Sequence, residues 1–249
     1  MQNHFDREQD AHLWPAIEGI APFDAYALDG GVEIGFHSAE DQAAFNAACP
    51  ILFADEQNMF AATVAYALPT GSTTLVDRVA EPSPNADDGL DRIHVHFGAA
   101  HGDAAAFGAR IDRLARALAA EDAVLKVRLH LPQAYDNAHP APPAPNVDHA
   151  VPDARRLVAI VELAFASPLE RRAFHASERF ARAVEGLAAH VAHASAFAVS
   201  GVYTYVRNKQ LTLAGLRGSR SAQLIERIGA VNQVGDDVRG LLLTGRLAA

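Results

Sequence analysis

Two short stretches of this chain alternate strictly between apolar and polar residues. In 92–98, Ile93, Val95 and Phe97 alternate with Arg92, His94 and His96. That is the period-two pattern of a strand with one apolar and one polar face. Residues 124–131 repeat it, with Leu125, Val127, Leu129 and Leu131 set against Lys126, Arg128 and His130. Between these strands, Asp103 offers a helix cap. Phe107, Ile111, Leu114, Ala115 and Leu118 then recur at helical spacing, with Arg110, Arg113 and Arg116 on the opposite side. A proline-rich loop over 132–153 lacks the backbone donors a sheet interior needs.

Residues 156–165, RLVAIVELAF, carry little polarity, as expected of a central strand. Glu162 shares parity there with Val158 and Ile160. Ser167-Pro168-Leu169-Glu170 supplies a cap, a proline at the first helical position and an acid at the third, a capping box. Phe174, Ser177, Phe180, Ala181, Val184, Leu187 and Ala188 continue as a helical stripe. Residues 196–207 read as the last strand, and Asn208-Lys209-Gln210 as a turn into a short returning strand.

The order β, α, β, β, α, β predicts a ferredoxin-like α+β unit over 91–207, with right-handed crossovers and both helices on the apolar face. Residues 1–83 predict a weaker, incomplete copy. Hairpins are expected at FDAYALD/VEIGFHS and at AATVAYAL/TTLVDRV, with a Ser38-capped helix between them. GFHSAEDQAAF and LAFASPLERRAF share a frame that hints at duplication. EPSPNADDG is the boundary, and residues 208–249 form a strand and helical extension broken at Gly229.

The helix-free sheet face then collects Arg92, His94, His96, Lys126, Arg128, His130 and Glu162 from three strands. Such a mixed apolar and cationic face suits burial against a second sheet around a cavity. Three readings stand: a small-molecule pocket, a solvated face without a task, or a metal held by His94, His96 and His130. The cations on the same face oppose the metal reading. In the pocket reading His94, His96 and His130 are the acid–base groups. Arg92 or Arg128 stabilises an anion, and Glu162, Tyr203 and Tyr205 bind ligand. His175, beside Arg171, Arg172, Glu178 and Arg179, reads as solvated. His190 and His193 read as a helix end. His4, His12, His101, His139 and His149 fall in termini and loops without an assigned task.

Bulk properties narrow the classes. The formal net charge of −9 opposes nucleic-acid binding and docking on an anionic membrane. No apolar run is long enough to span a bilayer, and the polar, acidic start is unlike a secretory signal. Cys49 is the single cysteine, which predicts a buried thiol and a reducing cytoplasm. Abundant alanine with only Lys126 and Lys209 as lysines suggests a GC-rich bacterial source. Leu216-Arg217-Gly218-Ser219-Arg220-Ser221 reads as capping and surface charge, lacking the P-loop lysine. The glycine fingerprint of dinucleotide-binding folds and the commonest hydrolase, zinc-protease and redox motifs are absent from the sequence.

The unit from Arg92 to Arg207 resembles the dimeric α/β-barrel superfamily, and within it the EthD-like proteins. Tyr203-Thr204-Tyr205-Val206, Leu213-Ala214-Gly215-Leu216-Arg217-Gly218 and Asn232-Gln233 add to the likeness. The tryptophan or tyrosine that shortly precedes a helix histidine in that family is echoed only loosely by Phe174-His175. The resemblance implies two ferredoxin-like sheets closed into a dimeric or tandem barrel. It also implies a homodimer and a small, partly aromatic organic ligand. The implied activity is that of an oxidoreductase, monooxygenase-like or isomerase-like, with a non-catalytic ligand-binding barrel as the alternative and a haem protein below that. No cofactor is expected, haem and metal ions being disfavoured.

Overall fold

The computed structural model describes residues 1–6, 12–79, 84–138 and 144–246. His139 and part of the predicted 81–89 linker lie outside them. In chain order the elements are β1 (Gln2–Phe5), β2 (Gly30–Val32), α1 (Ala39–Glu56), β3 (Thr73–Asp77) and β4 (Asn85–Ala86). The central unit follows with β5 (Asp91–Ala99), α2 (Ala104–Ala119), β6 (Lys126–His130), β7 (Val158–Phe165), α3 (Pro168–His175), α4 (Glu178–Val184) and β8 (Val191–Tyr203). The remainder is β9 (Val206–Arg207), β10 (Gln210–Leu211), α5 (Leu213–Arg217), α6 (Ser219–Arg227) and α7 (Asp236–Thr244).

The protein is α+β, built on an antiparallel sheet ordered β2-β1-β8-β5-β7-β6-β3, with β4 also paired to β8. Its centre, β8-β5-β7-β6, has the split order predicted from the βαββαβ succession. Ile93, Val95, Phe97, Val127, Leu129, Val161 and Leu163 face one side and are almost wholly buried. They meet Ile111, Leu114 and Leu118 of α2, and Phe174 and Phe180 of α3 and α4. Each such burial stabilises by roughly 1.5–3 kcal/mol. Asp103 and Ser167 cap α2 and α3 through the backbone N–H groups of Ala106 and Glu170.

Several elements differ from the sequence reading. The single helix expected after Ser167 is interrupted because Ser177 donates to Phe174 O at 2.6 Å and caps α4 through Phe180 N. β8 consequently starts at Val191, so His193 lies in a strand and stacks on Phe23 instead of ending a helix. Arg110 is buried, donating to Ala183 O and Glu185 O, and so belongs beside the apolar stripe. His175 packs against Trp14 and Phe180, with ring centroids 5.3 and 4.7 Å away, rather than in solvent. Burial lowers its pKa to about 4. The turn at Asn208-Lys209 is a two-residue hairpin with φ of 50° and 64°. The expected returning strand stops at Leu211, where Thr212 caps α5.

The amino-terminal hairpins are replaced by other pairings. β2 pairs with β1, and β3 joins the far edge of the central sheet through β6. Residues 61–68 contribute one bridge, Ala62 to Asp148, and no strand. The physical reason is edge completion. Alternation at 73–77 fits β6, whose backbone donors otherwise lack partners on that side. Among the described residues the polar face is met by side chains from 1–6 and 12–72, such as Phe5, Tyr26, Glu33 and Ser72, and no second sheet lies against it. Phe23 lies so close that a Cβ on Gly98 would meet its ring at 2.8 Å.

Candidate functional site

Strand register arranges the polar face in rows. Arg92, Ala164 and Lys126 form one, His94, Glu162 and Arg128 the next, and His96, Ile160 and His130 the third. Ser195 and Phe197 of β8 extend the last two rows beside His96 and His94. The sequence-predicted His94, His96, His130 and Glu162 are thus brought together, each less than a tenth exposed.

The three cations are paired. Arg92 holds both carboxylate oxygens of Asp88, at 3.1 and 2.6 Å. Lys126 meets Asp77 at 2.8 Å across the β3–β6 pair. Arg128 donates to Glu33 Oε1 at 2.6 Å. The positive field expected of this face is therefore balanced by carboxylates brought from other segments. Tyr203 is buried against His4, with ring centroids 4.7 Å apart. Tyr205 is half-buried, its carbonyl accepting from Thr212. Among the described residues neither tyrosine makes a hydrogen bond or ring contact with the histidine cluster.

Glu162 lies at the centre. His130 Nε2 is 2.7 Å from its Oε1, and His94 Nε2 is 3.9 Å from the same oxygen. Burial alone raises a carboxyl pKa, but His94, the hydrogen bond from His130 and the Arg128 guanidinium outweigh it. The Glu162 pKa consequently falls below the usual carboxylate range. His94 goes the other way: burial lowers its pKa to about 4, against a partial opposing effect of Glu162. Burial holds His96 neutral as well. Two free-base imidazoles, His94 and His96, thus share the face with an ionised carboxylate.

His96 is fixed by a residue the sequence did not single out. Tyr26 Oη is 2.8 Å from His96 Nδ1. Burial raises the pKa of the phenol, so the hydroxyl keeps its proton and donates it to this nitrogen. A neutral His96 then carries its own proton on Nε2, which is buried without a partner. Phe5 lies over His94 at 5.1 Å and stacks on Phe197 at 5.1 Å, shielding the imidazoles.

Glu33 and Ser72 were also missed. Ser72 Oγ donates to Glu33 Oε1 at 2.6 Å and stands 2.7 Å from His130 Nδ1. Glu33 alternates within VEIGF, read as part of a hairpin, and Ser72 sits in the PTGST turn. Neither position signals a partner some sixty to a hundred residues away. The result is a chain of short hydrogen bonds from Arg128 through Glu33, Ser72 and His130 to Glu162. Glu33, His130 and Glu162 also offer ligand atoms within 4.8 Å of one another, the proximity a metal site requires. However, Glu33 Oε1 already serves Arg128 and Ser72, and both His130 nitrogens are engaged. A cation would have to displace these contacts, so the donors fit a hydrogen-bond network better than a metal.

The fold and site define an α+β protein with a buried imidazole–carboxylate network on the helix-free face of its sheet. No protein-family model matches the chain, and no curated protein matches it. Among solved structures it is similar to a protein from Fusobacterium nucleatum subsp. nucleatum described provisionally as a monooxygenase. That match has a TM-score of 0.35 and 7% identity, over 51% of this chain and 48% of the other. A second protein with the same provisional description, from Lactobacillus acidophilus, matches with a TM-score of 0.31 and 10% identity, over 48% of each chain. Both likenesses span about half of either molecule and are too slight to carry a function across. Among the described residues no helix is long and apolar enough to cross a membrane.

Proposed function

We propose that this protein is an enzyme that moves a proton to or from a small organic molecule at the His94–Glu162–His130 cluster. The observation that carries the reading is the convergence of His94 and His130 on one Glu162 oxygen, at 3.9 and 2.7 Å. A neutral imidazole beside an ionised carboxylate is a base whose protonated form is stabilised where it arises. His94 is that base, and Glu162, held by His130, balances the charge it gains. His96 Nε2–H is a donor available to an oxygen of the ligand. The groups gathered here are acids and bases, so proton transfer is the chemistry proposed, in keeping with the isomerase-like side of the family resemblance.

In this reading the barrel expected from the resemblance is closed by the chain's own amino-terminal segments. Phe5 and Tyr26 form the lid that a ligand displaces. The test is deuterium wash-in. The protein is incubated in D2O with a panel of small ketones, phenols and enolisable acids, and uptake at carbon is followed by mass spectrometry. Wild-type protein is expected to label at least one class, with the rate falling by about 10²–10⁴ in His94→Ala and Glu162→Gln. Labelling that survives both replacements overturns the proposal.

A further inference from the structure

The contacts of Ser72 admit two arrangements of protons, and in the first its hydroxyl donates outward. Its single hydroxyl hydrogen goes to the Glu33 carboxylate, 2.6 Å away. The 2.7 Å contact with His130 Nδ1 must then be supplied by a hydrogen on that nitrogen. His130 Nε2, 2.7 Å from the ionised Glu162, also carries hydrogen. Counting donors therefore places a proton on both ring nitrogens in this arrangement. A hydroxyl donates and accepts at once, so the same contacts accommodate the reverse direction.

We propose that Ser72 is the relaying hydroxyl of a proton wire that runs from Glu162 and His130 to Glu33. In the transfer, the His130 Nδ1–H bond breaks and that proton joins Ser72 Oγ. The original Ser72 O–H bond breaks and its proton joins Glu33 Oε1. His130 loses one positive charge and Glu33 one negative charge, so nothing else is consumed. The ends differ in access to water. The His130 and Glu162 side chains are 7% and 10% exposed, whereas Glu33 is 21% exposed. Arg128 donates to the same Glu33 oxygen at 2.6 Å, which fixes the outer end of the wire in place. Gly71, with φ of 70°, turns the chain so that Ser72 enters between the two groups. Ser72 and Glu33 are thus relay residues, and His94 and Glu162 remain the groups that meet the ligand. The wire takes its purpose from the acid–base function proposed above, but its test needs no ligand.

The measurement is solvent exchange of the His130 ring N–H protons, by proton–nitrogen NMR on the full chain labelled at histidine. Ser72→Ala is expected to slow that exchange by about tenfold or more, because only transient opening then releases the protons. Ser72→Thr, which keeps a hydroxyl, is expected to retain the wild-type rate, and Glu33→Gln to slow it as Ser72→Ala does. A hydroxyl that only held the loop in place would do the reverse, since its removal loosens the cover and speeds exchange. Unchanged or faster exchange in Ser72→Ala overturns the wire, as does slow exchange in Ser72→Thr. If deuterium wash-in fails while these rates behave as expected, the function is wrong and the wire stands. The opposite pattern separates the two the other way.

Discussion

The two faces of the central sheet share the same strands and the same alternation, yet they are finished differently. The apolar face is closed by α2, α3 and α4, whose stripes lie within the same βαββαβ segment. The polar face is closed by Phe5, Tyr26, Glu33 and Ser72, drawn from the first 72 residues. One face is held almost wholly by area removed from water; the other adds matched charges and short hydrogen bonds to an aromatic cover. The comparison teaches that strand parity places chemical groups together, but distant segments decide their protonation.

The contrast can be broken most strongly on the apolar side. Phe97→Ala empties a position with no exposed surface and is expected to cost about 4 kcal/mol, measured by denaturant unfolding. A loss below about 1 kcal/mol there would place the main core elsewhere.

Acid comes next and acts chiefly through the polar side. His94 binds fewer protons folded than unfolded between its ordinary pKa of 6.5 and its native value of about 4. Stability therefore falls as pH drops through that window, by about 3 kcal/mol from this group. His96 contributes in the same direction. The lowered pKa of Glu162 extends the loss below the ordinary carboxylate range. Melting temperatures across pH should show the decline, and His94→Gln should remove its own share. His175, on the apolar side, also has a pKa lowered to about 4, so His175→Gln sharpens the comparison by separating the faces.

Smaller still is Tyr26→Phe, which leaves His96 Nδ1 without its donor and is expected to cost about 1 kcal/mol of unfolding free energy. Smallest is Arg116→Ala, which removes an exposed pairing with Asp112 on the outer side of α2. It should leave the melting temperature unchanged.

What could be read from the sequence follows this division. Ile93, Val95 and Phe97 alternate with His94 and His96 inside one strand, so their separation onto two faces is a local property. Asp103 and Ser167 are local caps, and both act as such. The positions of His94, His130 and Glu162 on one face followed from parity alone. The partners of those groups were not legible. Glu33 reaches Arg128 across 95 residues and Ser72 reaches His130 across 58, and no periodicity encodes such pairings. The amino-terminal alternation suggests self-paired hairpins, whereas Thr73–Asp77 pairs with the open edge of β6. His175 looked solvated because its sequence neighbours are charged, but Trp14, distant in sequence, lies against it.

The most direct measurement follows the Glu162 carboxyl carbon by NMR as pH is lowered from 7 in the intact protein. Its signal should keep its ionised position down through the ordinary carboxylate range, because the flanking imidazoles and Arg128 favour the charge. A carboxyl that gains its proton above pH of about 5 would mean that burial, rather than those partners, governs the site.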